Sequence, residues 1–426
     1  MEISLLQEWN SWWLQPGLLE ELKGLDRPRY HPLINSIEIR EVTVILGVRR
    51  SGKSTLMYQM IAKLLSQDVA PEQILFINLE DPKLKDYSLE EIYNCYREEL
   101  NPEKQAYIFL DEIHRKENWE SWIRKYYDLK TKDKFVISGS CSYLLRKEYS
   151  TLLTGRNLTF EVFPLSFDEF IKFKDTEINK KQLQKNIIVK EKKRRIANLL
   201  KKYLIEGGFP EMVFKKQAYK KKILAQYFDD IIYKDIIDRH NLTSKKVKDL
   251  ALYLATNFTS LISLRSIRSA LGLSYDTTKD YINFFQEAFI YYGVDHFSYS
   301  VKEQKMLPTK IYCVDSGIRN AVSFKFSKDQ GRLAENVVYI ELRARGEEPY
   351  YWSGDKEVDF IIKNKDNTIT AINVTYGPIQ EREIKGLKEF KQKFKKTKEL
   401  TLITIDIEKI EEGIKYVPLW KWLLLH

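Results

Sequence analysis

Short, mostly apolar runs alternate with longer amphipathic stretches through the first 170 or so residues. We interpret four of these runs as buried strands and the stretches between them as helices: Val42–Leu46, Ile74–Asn78, Ala106–Leu110 and Lys134–Ser138. Strands that alternate with helices are typical of a parallel sheet covered by helices. The pattern therefore predicts an α/β fold, preceded by a Trp-rich helical segment over residues 1–40.

The hydrophobic pattern changes after residue 173. Residues 174–202 are strongly basic and lack Pro and Gly, which predicts a charged linker that leads into a helix. The break at 207–210 ends this segment, and helices resume as far as Arg239.

Residues 242–299 predict a helix-turn-helix followed by extended chain. Leu264–Leu271 forms the first helix, Ser274 caps the second, and the second helix runs from Tyr275 to Ala288. The extended residues from Phe289 would begin a wing. Strands and helices then alternate again, with strands predicted at Lys310–Val314, Tyr350–Trp352, Val358–Lys363, Thr368–Val374 and Glu399–Ile405.

Composition and charge limit the number of domains, the kinds of partner and the cellular location that we expect. A chain of 426 residues is too long for one core and suggests about two to four domains. The net charge of +10 favours an acidic partner such as nucleic acid, although 70 basic and 60 acidic residues also fit a mixed, solvated surface. Three scattered cysteines indicate neither a zinc site nor a disulfide framework. With acidic residues near the N-terminus and no membrane-length apolar run, we expect a cytoplasmic protein that does not bind membranes.

The residues after the first predicted strand fit the phosphate-binding pattern GxxxxGK[ST]. A strand, this loop and a helix are the context that the pattern requires, which argues against a chance match. Lys53 would reach the β and γ phosphates, and Ser54 would hold Mg²⁺. The predicted nucleotide-binding residues are Gly47, Arg49, Arg50, Ser51, Gly52, Lys53, Ser54 and Thr55.

Two acidic residues complete this predicted site. Asp111 stands at the carboxyl end of an apolar strand, where ligands bind in α/β folds, and would hold Mg²⁺ through water. Glu112 would polarise the attacking water. Ser138 ends the next strand and would sense the γ phosphate, and Arg156 would stabilise transition-state charge in a neighbouring subunit. Ser138 as a turn residue and Arg156 as an ordinary surface residue remain alternatives.

Several segments together resemble AAA+ ATPases of archaea and bacteria whose C-terminal half is poorly characterised. They are GVRRSGKST, FLDEIH, ISGSCSYLL, LLTGR, VFPLSFDEF, YLIEGGFPEMV, YFDDIIYKDIIDRH, GRLAENVVYIEL and GDKEVDF. The resemblance implies hydrolysis of ATP with Mg²⁺ at a subunit interface of a homo-oligomeric ring, for which a hexamer is one expected form. The core catalytic positions of that family are matched here by Lys53, Ser54, Asp111 and Glu112. Ser138 matches its first sensor, and Arg156 matches its arginine finger.

The end of the chain resembles a restriction-endonuclease-like domain. Glu335 and Asp359 match the acidic metal-binding positions of active members, but Asn373 and Thr375 stand where a Glu-x-Lys pair is expected. Asn lacks the negative charge that a hard cation favours. We therefore expect no nuclease activity. The predicted domains are a P-loop AAA+ core at 1–172, a basic segment and helical lid at 173–240, a winged helix at 241–305 and an endonuclease-like α/β domain at 306–426.

DNA, in particular branched DNA, is the partner that this combination of domains favours by analogy of fold. The expected contacts come from the basic segment and from exposed residues of the helix-turn-helix: Arg265, Arg268, Tyr275, Thr277, Thr278, Lys279 and Asn283. Asp276 and Asp280 on the second helix disfavour phosphate, so the same helices could instead pack against protein. The alternative hypothesis is a nucleotide-dependent signalling or defence switch that acts through protein partners. The five histidines are dispersed and suggest no other hydrolase.

Overall fold

The computed structural model describes residues 1–142, 155–185, 187–323 and 330–425. The chain divides into two compact units, Met1–Val162 and Phe163–His426. The predicted core at 1–172 extends past the first unit by the helix Phe167–Lys172, which belongs to the second. The four-part division stays a prediction.

A five-stranded parallel sheet forms the centre of the first unit, which confirms the predicted α/β fold. Its strands lie in the order β2-β3-β4-β1-β5. They are β1 (Val42–Leu46), β2 (Ile74–Asn78), β3 (Tyr107–Asp111), β4 (Lys134–Gly139) and β5 (Asn157–Glu161). The long helices of this unit are Lys53–Ser66, Leu89–Glu99 and Trp119–Asp128.

The Trp-rich N-terminal segment packs onto this sheet in short pieces rather than as long helices. Trp12 is fully buried in the same apolar cluster as Leu56 and Phe76. The Asn10 side chain accepts a hydrogen bond from Phe76 N–H at 2.7 Å and donates one to Phe76 C=O at 2.8 Å, so it satisfies the free edge of β2. The α-helical pieces are Ser4–Gln7, Leu19–Leu22 and His31–Asn35, joined by 3₁₀ turns at Ser11–Trp13, Pro16–Leu18, Pro28–Tyr30 and Ser36–Glu38. Further 3₁₀ turns of this unit are Pro71–Gln73, Pro82–Leu84 and Ile113–Arg115.

The second unit begins as a helical region. The predicted basic segment forms two helices, and a π-helical stretch, Ile231–Ile237, follows further on. The helices are Phe167–Lys172, Lys180–Gln184, Lys190–Glu206, Pro210–Phe214, Gln217–Asp230, Asp238–His240, Ser244–Thr256, Leu264–Leu271, Tyr275–Glu287, Val301–Met306, Ser316–Val322, Gln330–Ala344, Glu381–Lys393 and Leu419–Leu424.

Two sheets complete the second unit. A small antiparallel sheet has the order β6-β8-β7, with β6 (Leu261–Ile262), β7 (Tyr291–Val294) and β8 (Thr309–Cys313). A mixed six-stranded sheet has the order β13-β14-β12-β11-β10-β9. Its strands are β9 (Tyr350–Ser353), β10 (Glu357–Lys363), β11 (Ile369–Val374), β12 (Thr397–Thr404), β13 (Lys409–Glu411) and β14 (Ile414–Pro418).

The break after the basic helix is a tightly packed glycine junction. A Cβ added to Gly208 would lie 2.3 Å from Leu165 C=O, and one added to Gly317 would lie 2.0 Å from Glu206 C=O. Asp315 accepts hydrogen bonds from Gly208 N–H at 2.6 Å and from Ile318 N–H at 2.9 Å, and it caps the helix Ser316–Val322. The glycines at this junction are therefore required by close backbone packing.

Candidate functional site in the P-loop unit

The loop after β1 has the backbone geometry of a phosphate cradle. Gly47 has φ 145°, and a Cβ there would lie 2.1 Å from Val162 C=O, so only glycine fits. Gly52 has φ 100° and precedes the helix that begins at Lys53. The first backbone N–H groups of a helix lack partners within it and favour negative charge. The Ser51 hydroxyl is buried without a hydrogen-bond partner among the described residues, so it is available to donate a hydrogen bond to a phosphate oxygen.

Lys53 is held inside the loop by contacts with the loop backbone and with Glu112. Its side chain is 4% exposed, and its ammonium donates to Gly47 C=O at 3.0 Å and to Val48 C=O at 3.3 Å. The ammonium also lies 3.7 Å from Glu112 Oε1. A buried cation of this kind must be compensated, and here it is compensated by its own loop and by one carboxylate.

Asp111 collects hydroxyl donors from two neighbouring elements. The Ser54 hydroxyl donates to Asp111 Oδ2 at 2.5 Å, and the Ser138 hydroxyl donates to Oδ1. Burial, with the charge of Glu112 adding to it, raises the pKa of Asp111 above its ordinary value. Mg²⁺ is commonly bound by one or two protein oxygens together with phosphates and water. The Ser54 and Asp111 oxygens therefore fit this ion.

Glu112 is fixed by its backbone and by its carboxylate. It has φ 54°, an uncommon value for a residue other than glycine, and its N–H donates to Ser138 Oγ at 3.1 Å. Ser140 N–H donates to Oε2 at 3.0 Å, and His114 Nδ1 lies 3.3 Å from the same oxygen. Burial alone would raise the pKa of this carboxyl, but the charges of Lys53, His114 and Arg49 outweigh burial and lower it. Glu112 is therefore ionised and oriented.

Glu80, which the sequence analysis did not identify, fixes the position of the Arg49 side chain. Glu80, just after β2, accepts two hydrogen bonds from the Arg49 guanidinium, at 2.9 and 3.0 Å. It also accepts from Arg115 at 2.6 Å. The hydrogen bond from Arg49, and then those of Arg115, lower the pKa of Glu80 to about 2 although burial opposes this. Arg49, predicted to bind nucleotide, is thus tied to Glu80.

A second missed residue supports the loop from the N-terminal segment. Arg27 is buried and donates to Ser51 C=O at 2.9 Å, and its guanidinium lies 4.6 Å from the centre of the Tyr30 ring. Of the other predicted loop residues, Arg50 is exposed with φ 69°, and Thr55 is half-buried in the first turn of the helix.

Arg156 lies at the far end of the sheet from the loop. Its C=O accepts from Val42 N–H at the beginning of β1, whereas Gly47 follows the end of that strand. Five residues of strand span about 16 Å, and the Arg156 guanidinium pairs with Asp128 at 3.0 Å. Arg156 therefore does not serve the loop of its own chain. The motif residues 143–154 lie outside the described residues.

The two acidic residues predicted near the C-terminus, Glu335 and Asp359, do meet in space. They line one cavity of about 480 Å³ together with Asn373, Thr375 and Glu357, which was not predicted. The Asn373 amide accepts from Asp359 N–H at 2.8 Å and donates to Glu383 C=O at 2.8 Å, so both ends of this side chain are used by the backbone.

The helix-turn-helix elements are present, but one predicted surface residue is not exposed. The helix Tyr275–Glu287 begins at the Ser274 cap as predicted. Thr278 is fully buried because it lies on the same face as Tyr281 and Phe285, so its prediction as an exposed contact was wrong. Tyr275, Lys279 and Asn283 are exposed.

Within the described ranges, no helix is long and apolar enough to cross a bilayer. In the same ranges no three or more His, Cys, Asp and Glu side chains are arranged to hold a metal ion.

Comparisons with known protein families assign three stretches of the chain to family models. Residues 39–171 match an AAA domain, residues 197–329 match a domain of unknown function (DUF8612), and residues 330–422 match another (DUF4143). Among solved structures, the Aeropyrum pernix ORC1 protein in complex with DNA is 12% identical, with 74% of this chain and 96% of that chain covered and a TM-score of 0.31. AMPPCP-bound DnaA from Aquifex aeolicus is 14% identical, with 61% and 88% covered and a TM-score of 0.27. At these TM-scores neither structure bears on the function.

Two sequence relatives extend over nearly the whole chain. An uncharacterized protein of Haemophilus influenzae is 31% identical over 395 residues, 90% of this chain and 94% of its own length. The uncharacterized protein MJ1544 of Methanocaldococcus jannaschii is 33% identical over 438 residues, 96% of each chain. At 33% identity over 96% of each chain, this chain, which matches an AAA domain at residues 39–171, belongs to the same family as MJ1544.

Proposed function

We propose that this chain is an ATPase that hydrolyses ATP with Mg²⁺ in its P-loop unit. The observation that carries the proposal is the convergence of Lys53, Ser54, Asp111 and Glu112 at one end of the sheet, with a hydroxyl–carboxylate pair at 2.5 Å and a lysine–carboxylate pair at 3.7 Å. A phosphate cradle, a cation site and an ionised carboxylate are the parts that phosphoryl transfer to water requires.

Each of these four residues has a role in the proposed reaction. Lys53 exchanges its contacts with Gly47 and Val48 for the β and γ phosphates and compensates their charge. Ser54 and Asp111 would hold Mg²⁺, and this ion would supply positive charge that neutralises the phosphates. Glu112 accepts a proton from the water whose oxygen attacks the γ phosphorus, while the bond from that phosphorus to the bridging oxygen of ADP breaks.

We further propose that the ATPase works as a homo-oligomeric ring. Arg156 lies about one strand length from the loop of its own chain. In a ring it would reach the phosphates bound by a neighbouring chain. Its pairing with Asp128 would then exchange for a contact with phosphate.

The proposed partner is DNA, contacted by the second unit. The helix Lys190–Glu206 buries Ile196, Leu200 and Leu204 on one face. Its other face exposes basic residues with one acidic residue, Glu191, among them: Lys190, Lys193, Arg194, Arg195, Lys201 and Lys202. Such a stripe suits a phosphate backbone.

The helix-turn-helix supplies a second surface for the same partner. Its helices, with β6, β7 and β8, occur in the order of a winged helix. Arg265, Tyr275, Lys279 and Asn283 line one side of a groove of about 770 Å³. DNA affinity should fall steeply with salt, with a slope that scales with the number of phosphates contacted.

The test is the rate of ATP hydrolysis without DNA and with single-stranded DNA, a linear duplex and a four-way junction. Glu112→Gln is compared with Glu117→Gln, an exposed glutamate five positions away. We expect Glu112→Gln to abolish the rate, Glu117→Gln to leave it unchanged, and the junction to stimulate it most. A Glu112-dependent rate that is indifferent to every DNA would support the protein-partner switch, and a rate unaffected by Glu112→Gln would refute the site.

A further inference from the structure

A buried lysine lies within the carboxylate cluster at the beginning of β10. The Lys310 side chain, from β8, is 2% exposed. Its ammonium is 3.0 Å from Glu335 Oε1 and 3.3 Å from Asp359 Oδ1, and it also pairs with Glu357. These groups come from the small antiparallel sheet, from the helix Gln330–Ala344 and from β10. One ammonium therefore joins three acidic residues of two other elements.

The cluster keeps this lysine charged. Burial by itself favours the neutral amine, but Glu335, Asp359 and Glu357 outweigh it and raise the pKa of Lys310 above its ordinary value. The Tyr312 hydroxyl donates to Glu335 Oε1 at 2.8 Å, so that oxygen already has two donors. An isolated buried charge would be costly, whereas this one is compensated and hydrogen-bonded.

A divalent cation does not fit beside this ammonium. The resemblance to restriction-endonuclease-like domains implies a metal between Glu335 and Asp359, which would need their oxygens at about 2.0–2.6 Å. The Lys310 ammonium already contacts both carboxylates. Asn373 is neutral and its amide is used by the backbone. No metal-holding group of three acidic, histidine or cysteine side chains occurs in the part of the chain that the structure describes.

We propose that Lys310 is a built-in cation that takes the place of a divalent metal in this cluster. The ammonium joins β8 to the helix Gln330–Ala344 and to β10 without any exchangeable ion. The C-terminal domain is therefore assembled independently of metal, and its cavity is not a metal-dependent nuclease centre. This inference is independent of the proposed ATPase activity, because it concerns residues of the second unit alone.

The decisive experiment counts bound Mn²⁺ by electron paramagnetic resonance in full-length chains that also carry Asp111→Asn, which removes the cation site of the P-loop. With Lys310 present, we expect no Mn²⁺ bound at the cluster, the same melting temperature in EDTA and in Mn²⁺, and no DNA cleavage. With Lys310→Ala, we expect a lower melting temperature in EDTA, about one bound Mn²⁺, and partial recovery of the melting temperature in Mn²⁺. Adding Asp359→Asn should remove that Mn²⁺.

Two results would overturn the proposal. One is Mn²⁺ bound with Lys310 in place and lost on Asp359→Asn. The other is Mn²⁺-dependent DNA cleavage that Lys310→Met abolishes, which would make the ammonium part of a working nuclease. If Lys310→Ala does not fold, the chain with Lys310 still decides between these outcomes, and Glu357→Gln, at the most exposed acid of the cluster, should lower the melting temperature without creating a metal site.

Discussion

Ser138→Ala tests whether the end of β4 organises both acidic residues of the candidate site. The Ser138 hydroxyl is fully buried, donates to Asp111 and accepts from Glu112 N–H at 3.1 Å. One hydroxyl group therefore hydrogen-bonds both to the carboxylate of Asp111 and to the backbone N–H of Glu112. Alanine removes this hydroxyl and alters nothing in the P-loop itself.

The expected loss of stability follows from these two contacts. A hydrogen bond to a charged group contributes about 1.5–3 kcal/mol, and a buried N–H left without a partner costs about 1–3 kcal/mol. The two contributions do not add fully, because both contacts depend on one hydroxyl. We expect a net loss of about 2–4 kcal/mol. Ser36→Ala is the matched control: the buried Ser36 hydroxyl hydrogen-bonds to Leu33 C=O and the Thr43 hydroxyl, away from both acidic residues, and its loss should cost about 1 kcal/mol.

Urea unfolding followed by tryptophan fluorescence measures this difference, since five of the eight tryptophans lie in the first unit. In the same samples, kcat for ATP should fall roughly 10–100-fold because the backbone of Glu112 loses its contact with Ser138 and the carboxylate shifts, with ATP affinity little changed. A stability loss no greater than that of Ser36→Ala, together with an unchanged kcat, would refute the positioning role of Ser138.

Three further predictions concern separate parts of the chain. Glu80→Gln should lower the free energy of unfolding by about 1–2 kcal/mol at pH 7, a value reduced for the partial exposure of Glu80. The pKa of Glu80 is lowered from 4.5 to about 2, so the stability that its charge contributes is lost as the pH falls through that interval. The difference in urea midpoint between the variant and the parent chain should vanish over the same interval. Gly208→Ala places a Cβ against Leu165 C=O and should lower the melting temperature sharply, whereas Gly377→Ala, with nothing within 4 Å, should leave it nearly unchanged; equal effects would contradict the packing argument. Arg156→Ala and Lys53→Met should each be inactive alone yet regain ATPase activity when mixed, because a mixed ring contains sites with both residues; a mixture that stays inactive would argue against a shared site.

The regular elements were predicted well where burial dictates the sequence. β1 and β2 have the predicted bounds, and β3 differs by one residue at each end, because each of these strands is buried along nearly its whole length and is mostly apolar. β5 was missed because its sequence NLTFE is half polar, as suits the edge of a sheet. β13 was missed because it is short and Ile410 is 80% exposed. The π-helical stretch Ile231–Ile237 gives no signal that separates it from an α-helix.

Motif spacing identified the residues that the structure brings together around Asp111, because a short loop fixes their positions relative to the strands. Their roles in catalysis stay predictions. Glu80, Arg27 and Lys310 were not found, since each acts on residues distant in sequence and no periodicity marks an ion pair. Thr278 was misassigned because the sequence gives the helix but not the face that turns inward.

The contacts of Lys53 imply that, under the proposed function, charge rather than shape is the first criterion for a ligand of this loop. Any molecule that takes its ammonium must replace two carbonyl oxygens and a carboxylate at once. A nucleoside offers no anionic oxygen there, and a monophosphate does not extend to the position of the β and γ groups. Under the proposed function, the loop would therefore select ligands by the number of their phosphates, and discrimination among adenine, guanine and other bases would be made elsewhere on the chain.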